Sequence, residues 1–425
     1  MFRRRFLEEV LAGPRSRNKV RLLLGARQTG KTALLHRLTP PDGVRFFDLQ
    51  EAAERRRFEA DPAAFTREVR ALARAVRTVV VDEVQKVPAL LDEVQALYDA
   101  APTRRQFFLT GSSARRLRSG SANLLPGRSH AYHLYPVCLW ETDRDQPAAV
   151  AGQPPPGSGA RGARPAAGMR RSLARATPAF PSQPLSRILL LGCLPGIRSE
   201  PLATSRATLE TYVDHYIEEE IRREALIRDL GPFVVFLRLA AAESGQSANL
   251  AKLSQESGIP ASTLKSYYQV LVDTFVGYWI TPYAGRTRKR LLSTPRFLFF
   301  DVGVRNAAAG IPLDQHLTGV LGGPLLEQWV GQELIARASY LGRGHRVSFW
   351  RTSYGVEVDF VWESPSEDIP VEVKWTERPR PVDARHLETF LDEFPKRARR
   401  GLLVCRCPRA QQLTDRVRAV PWSEI

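Results

Sequence analysis

Val20-Arg21-Leu22-Leu23-Leu24-Gly25-Ala26-Arg27-Gln28-Thr29-Gly30-Lys31-Thr32-Ala33 passes from an apolar, strand-like run through a glycine-bounded loop into a helical segment. The Gly-x-x-x-x-Gly-Lys-Thr spacing, set between strand and helix, predicts a loop whose backbone N–H groups close around phosphate. The glycines free the backbone to turn inward, and a helix over Thr32–Leu38 adds a favourable partial charge at its start. The expected phosphate-binding residues are Gly25, Ala26, Arg27, Gln28, Thr29, Gly30, Lys31, Thr32 and Ala33. Lys31 is expected to bridge the β- and γ-phosphates and Thr32 to offer its hydroxyl to Mg²⁺, which implies ATP-Mg²⁺ as the ligand.

Outward from that loop, apolar runs alternate with helical stretches as far as Pro136, the pattern of a parallel sheet flanked by helices. The strands are expected at Val20–Leu24, Val44–Asp48, Thr78–Asp82 and Gln106–Thr110, with a further one at Ala131–Leu134. The third ends in Asp82-Glu83: Asp82 suits the Mg²⁺ shell and Glu83 the role of general base toward an attacking water. The fourth ends in Thr110-Gly111-Ser112-Ser113, hydroxyls placed to sense a γ-phosphate. Arg115, Arg116, Arg118 and Arg128 follow, and Arg128 is the candidate for a cation supplied to a neighbouring subunit, which implies a homo-oligomer.

The chain has 425 residues, more than one ordinary core, and 43% apolar content. No apolar run is long enough to span a membrane, and Arg3-Arg4-Arg5 stand where a signal peptide needs apolar residues, so a cytoplasmic protein without a membrane partner is expected. Cys138, Cys193, Cys405 and Cys407 lack metal-ligand spacing and read as reduced, buried thiols. The net charge of +17 invites a nucleic-acid partner. Yet all but eight of the 62 basic residues are Arg, a composition that genomic bias can also produce, and seven Arg against one Asp lie in 144–187. That Pro-, Gly- and Ala-rich segment reads as a disordered insertion.

Four units are therefore expected: 1–143, the α/β phosphate-binding unit; 144–187, the insertion; 188–311, a helical and winged-helix unit; and 312–425, a second α/β unit. In the third, helices are expected at Leu209–Ile227 and Gly231–Glu243, then over Leu250–Ser257 and beyond Pro260, with Ser262 as N-cap and Leu264, Tyr267, Tyr268, Leu271 and Phe275 inward. Arg286, Arg288, Lys289 and Arg290 would form the tip of a wing. In the fourth, a helix at Pro324–Ser339 precedes strands Val347–Arg351, Val356–Trp362 and Pro370–Trp375, a helix at Asp383–Phe394 and a last strand at Gly401–Cys405. Simple alternation puts Val356, Val358, Phe360 and Trp362 on one face and Glu357 and Asp359 on the other, and it isolates Glu372 and Lys374. A hairpin between these strands would gather Asp359, Glu372 and Lys374.

The chain resembles the prokaryotic AAA-type P-loop ATPases that carry a C-terminal domain of unknown function. The resemblance rests on the loop Gly25–Thr32, Val81-Asp82-Glu83-Val84-Gln85, Leu109-Thr110-Gly111-Ser112-Ser113, Gly127-Arg128, Phe300-Asp301-Val302-Gly303, Leu326-Glu327, Glu357-Val358-Asp359-Phe360 and Val371-Glu372-Val373-Lys374. It implies a C-terminal end of restriction-endonuclease-like fold, in which Glu327, Asp359 and Glu372 would hold a second Mg²⁺ or Mn²⁺ and Lys374 would help activate water. It also implies ATP hydrolysis coupled to action on DNA. The alternative is a nucleotide-switch regulator or adaptor that binds protein partners through an inert nuclease-like domain.

Overall fold

The computed structural model describes residues 3–13, 18–39, 42–114, 125–143, 178–217, 229–283, 285, 294–314 and 317–425. Arg115, Arg116, Arg118, Arg286, Arg288, Lys289, Arg290 and residues 144–177 lie outside them.

After a short helix α1 (Leu7–Ala12), β1 (Val20–Leu24) is buried at every position. The elements that follow are α2 (Lys31–Leu38), β2 (Val44–Asp48), α3 (Ala52–Ala60), α4 (Ala63–Ala71), β3 (Thr78–Asp82), α5 (Leu90–Ala100), β4 (Gln106–Gly111) and β5 (Ser129–His133). The five strands are all parallel, in the order β2-β3-β4-β1-β5. Parallel strands covered on both faces must be apolar throughout. The one cation inside β1, Arg21, lies over the Phe108 ring and donates to Gln106. Strand β5 starts two residues earlier than the sequence predicts, because Val20 N bonds the Arg128 carbonyl and extends the ladder.

Order resumes before residue 188. Phe180 bridges Thr142, and α6 (Leu185–Leu191) begins inside the segment read as insertion. Next come α7 (Pro195–Ser199), α8 (Leu202–Thr211), a π-helical turn at Tyr212–Ile217, α9 (Leu230–Ala242), α10 (Leu250–Ser257) and α11 (Ala261–Asp273). The expected helix at Leu209–Ile227 is thus the end of α8 and the π turn, and 218–228 fall outside the described residues. Asp229 and Asn249 cap α9 and α10 by accepting from Gly231 N and Lys252 N, both at 3.0 Å. Ser262 is not the cap of α11: Thr263 N and Leu264 N donate to Pro260 O at 2.9 and 3.0 Å, so the first turn closes one step earlier.

The hairpin β6 (Gly277–Pro282) and β7 (Arg296–Phe299) follows α11, and β6 then pairs in parallel with β8 (Arg346–Arg351). One sheet of eight strands therefore crosses the expected 311/312 boundary, in the order β12-β13-β11-β10-β9-β8-β6-β7. Between β7 and β8 lie α12 (Val302–Ala308) and the long α13 (Leu317–Leu341), which starts well before Pro324 and carries that proline inside it. The sheet continues through β9 (Glu357–Glu363), β10 (Asp368–Val373), α14 (Arg385–Glu393) and β11 (Gly401–Cys405), then β12 (Gln411–Gln412) and β13 (Val417–Pro421). The sequence pattern did not show the last two strands. Strand β13 lies parallel to β11, with Val417, Ala419 and Val420 buried.

Two glycines admit α12 and α13 to their neighbours. A Cβ at Gly303 would stand 2.1 Å from Leu191 O, and one at Gly322 would stand 2.3 Å from the Trp375 indole. Asp301 locks the first contact by accepting from Gly303 N, Val304 N and, across the chain, Cys193 N. The quoted Phe300–Gly303 motif is accordingly an architectural clamp. All four cysteines are free and buried.

Candidate functional site

The loop after β1 folds tightly against β5. Gly25 has φ +151° and a Cβ there would sit 2.4 Å from Leu134 O, while Gly30 takes φ +91° as it opens α2. Both positions need glycine. Lys31 leans back along the loop, its ammonium donating to the Gly25 and Ala26 carbonyls at 2.9 and 3.0 Å, and Thr29 Oγ1 also donates to Ala26 O at 2.9 Å.

Strands β1, β3 and β4 end together, so their last side chains converge on this loop. Thr32 Oγ1 donates to Asp82 Oδ2 at 2.7 Å, and Lys31 Nζ lies 3.9 Å from Glu83 Oε1. Thr110 Oγ1 is used twice inside the protein: it donates to Asp82 Oδ1 and accepts from Glu83 N at 2.8 Å. The expected γ-phosphate sensor is therefore, as it stands, a bracket that sets the two acids. Glu83 itself adopts a left-handed backbone, φ +56°, uncommon outside glycine. Ser112 donates to its carboxylate at 2.7 Å, as does Gln85.

These surroundings divide the two carboxyls. Burial raises the Asp82 pKa above its ordinary value against the pull of Thr110 and Thr32. Burial acts upward on Glu83 too, but Lys31, Ser112 and Gln85 outweigh it and hold the group below its ordinary value. Glu83 is thus a carboxylate at neutral pH, as a general base must be.

Arg128 lies at the other end of the sheet. It precedes β5 and pairs with Asp99 at 2.6 Å. At roughly 3.3 Å per residue, five-residue β1 separates the Arg128 end from Gly25 by on the order of 15 Å. Arg128 can therefore serve only another copy's phosphates.

Three contributors gave no sequence signal. Arg5, read only as one of three N-terminal charges, is buried; it donates to Thr29 O in the loop, to Tyr135 O, both at 2.6 Å, and to Glu141 at 2.9 Å. Tyr212 OH reaches Arg27 O at 3.3 Å from the π turn. Glu333 of α13 accepts from Leu139 N at 3.0 and 3.1 Å and pairs with Arg337. Gln85 was within a quoted motif, two residues after Glu83, without a role assigned.

Residues 17–142, the β1–β5 unit just described, match the family model described as "AAA domain". The N-terminal third is an AAA-type P-loop domain. Beyond the AAA domain, residues 182–315 match "Domain of unknown function (DUF8612)" and residues 322–425 match "Domain of unknown function (DUF4143)". Two uncharacterised mycobacterial proteins, Mb2031c of Mycobacterium bovis and Rv2008c of Mycobacterium tuberculosis, are each 25% identical over 364 residues, covering 85% of this chain and 72% of theirs. The crystal structure of protein VC1899 from Vibrio cholerae aligns over 96% of this chain and 95% of its own at 12% identity, with a TM-score of 0.20, too low to bear on the fold. An AAA domain binds ATP, and Mg²⁺ when bound supplies positive charge to the phosphates. The hydroxyl of Thr32 and the carboxylate of Asp82 are hard oxygen donors of the kind that ion takes, and Mg²⁺ commonly needs only one or two protein ligands beside phosphate and water. Among the described residues no helix is long and apolar enough to cross a membrane.

In the C-terminal sheet the simple alternation expected along β9 fails at a bulge. Ser348 pairs with Val361 but Trp350 with Val358, so β9 spends an extra residue between them. Val358 and Val361 consequently share the α14 side with Phe390, whereas Phe360 and Trp362 join the larger core. Val358 and Phe360 do not share a face. Asp359, within the bulge, accepts from Val373 N at 2.8 Å. Glu372 pairs with Lys374 at 2.7 Å. Burial first, and Asp359 second, push Glu327 up to about 8 and Glu372 up to about 7. These four sequence-predicted residues lie within mutual electrostatic reach, as the hairpin argument expected. Their oxygens do not, however, form a ligand set: among the described residues no three His, Cys, Asp or Glu are grouped to hold a metal. Instead Arg296 of β7 meets Glu327 at 3.3 Å and also pairs with Glu357.

Proposed function

We propose that this chain hydrolyses ATP and uses the cycle to act on DNA through its nuclease-like C-terminal region. The observation that carries the ATPase half is the 2.7 Å bond between Thr32 and Asp82 with Glu83 beside Lys31. Lys31 exchanges its Gly25 and Ala26 carbonyls for the β- and γ-phosphates, Thr32 and Asp82 hold Mg²⁺, and Glu83 accepts the proton of the attacking water. Arg128, remote from its own loop, completes the site of an adjacent copy, which makes the active form an oligomer. The helix pair α10–α11 with the β6–β7 hairpin serves as a winged helix; Lys265, Ser266 and Gln269 on its exposed face support contact with a duplex.

Two assays test the proposal. Lys31→Ala loses ATP binding and turnover together, and a variant that still turns over ATP normally removes the loop from its role. On DNA, the wild type nicks with Mg²⁺ or Mn²⁺ while Asp359→Ala and Lys374→Ala do not. Nicking that survives in both variants belongs to a contaminant.

The Arg296–Glu327 pair favours a second reading. A carboxylate group already neutralised from within suits an inert nuclease-like domain, in a nucleotide-switch regulator whose ATP state selects protein partners. Absence of nicking together with a partner retained only with ATP supports that reading.

A further inference from the structure

Three acids, Glu327, Asp359 and Glu372, share the C-terminal site with two cations that belong to the chain. Lys374 occupies Oε1 of Glu372 at 2.7 Å. Arg296 is 6% exposed, and its guanidinium lies 4.6 Å from the centre of the Phe349 ring. From there it meets Glu327 Oε1 at 3.3 Å, donates to the Asp359 carbonyl at 3.2 Å and pairs with Glu357. One buried oxygen, Glu372 Oε2, is left with no hydrogen-bond partner. An unpaired buried carboxylate oxygen is costly and points to a missing cation or water.

A divalent ion shared by these acids needs their oxygens about 2.1 Å from a common point. While the guanidinium sits on Glu327, that oxygen is engaged, and a second cation drawn to the same acid is repelled by the first. Arg296 is also anchored apart from the other candidates. It stands in β7, paired with Ile280 of β6, whereas Asp359 and Glu372 come from the β9–β10 hairpin. The two can move relative to each other only if the β6–β8 edge or the Phe349 contact gives.

We propose that Arg296 is a resident cation that competes with divalent metal for Glu327, so that the C-terminal site binds Mg²⁺ or Mn²⁺ tightly only when β7 withdraws the guanidinium. The proposal rests on the nuclease-like reading of this domain and adds its control. Arg296 is a positioning residue here, and the freed Glu327 joins Asp359 and the unpaired oxygen of Glu372 around the ion.

Mn²⁺ binding to the nucleotide-free full chain, followed by electron paramagnetic resonance or calorimetry, tests it without reference to cleavage. Arg296→Met keeps the aliphatic stem against Phe349 and removes the charge; it is expected to bind Mn²⁺ about tenfold or more tightly than wild type, a gain of the size that groups around a metal site command. The gain disappears in Arg296→Met/Glu327→Gln and in Arg296→Met/Glu372→Gln. Equal affinity of Arg296→Met and wild type, with Glu372→Gln weakening both, overturns the gating role but leaves the metal site standing. No Mn²⁺ bound by any variant overturns the metal site itself and the gate with it. Should Arg296→Met fail to fold, Glu327→Gln alone decides: unchanged Mn²⁺ affinity agrees with an acid already sequestered, and a roughly tenfold loss contradicts it.

Discussion

Thr110 holds Asp82 and Glu83 at once, its hydroxyl donating to the carboxylate of the first and accepting from the backbone N–H of the second. One side chain on β4 thereby fixes both the metal-facing acid and the strained left-handed turn that aims the base. Because that hydroxyl is buried, its loss strands two partners.

Thr110→Val should therefore cost about 1–3 kcal/mol of stability, the usual penalty for buried polar groups left unsatisfied. It should also lower ATP turnover more than ATP affinity, since the loop itself is untouched. Chemical denaturation and a kcat-against-Kd comparison check both parts. Unchanged kcat with normal stability would return Thr110 to an ordinary strand residue.

Asp82→Asn keeps the shape of the Thr32 contact and removes the charge that faces the metal. Turnover is expected to fall by about a hundredfold or more, in the range seen when one electrostatic stabiliser of a transition state is removed. Nucleotide binding measured without Mg²⁺ should stay near wild type. A variant whose Mg²⁺ dependence matches wild type would take Asp82 out of the metal shell.

Arg5 forms a buried pair with Glu141 under the loop, and a buried pair broken on one side typically costs 3–5 kcal/mol. Arg5→Met should lose stability on the order of 3 kcal/mol and weaken ATP binding, because Thr29 O loses its donor. Thermal unfolding with and without ATP reads both. A stable variant with wild-type affinity would show the contact to be passive.

His133 ends β5 against the edge of the Phe275 ring, and burial pushes its pKa down to about 4. Between about 4 and its unfolded value near 6.5, the unfolded chain binds the extra proton. Stability therefore rises with pH across that window and is lost as pH falls through it, by on the order of 2–3 kcal/mol. Unfolding midpoints from pH 7 to pH 4.5 should drop in wild type and drop less in His133→Phe. Parallel profiles would assign the acid sensitivity elsewhere.

The first sheet was legible in the sequence because each of its strands is a short apolar run and β1 opens directly into a spaced loop; Asp82 and Glu83 follow from strand ends that must converge. Arg5 was not legible, since nothing local separates it from Arg3 and Arg4; only a pairing with Glu141, far along the chain, makes it structural. The same limit hid the β6–β8 pairing, which joins residues about the wing to the last domain. In β9, strict period-two reasoning placed Val358 with Phe360, and a single extra residue in the ladder reversed it. Strands β12 and β13 escaped notice because one is two exposed glutamines and the other ends in proline.

Hydrolysis by Glu83 is the centre of the account, and a single-turnover measurement on Glu83→Gln tests it most directly. The amide keeps the size of the side chain but cannot accept the proton of water. The account predicts ATP-Mg²⁺ bound with near wild-type affinity and phosphate release slowed by about a hundredfold or more, the span typical of a general base. Wild-type phosphate release from Glu83→Gln would contradict it.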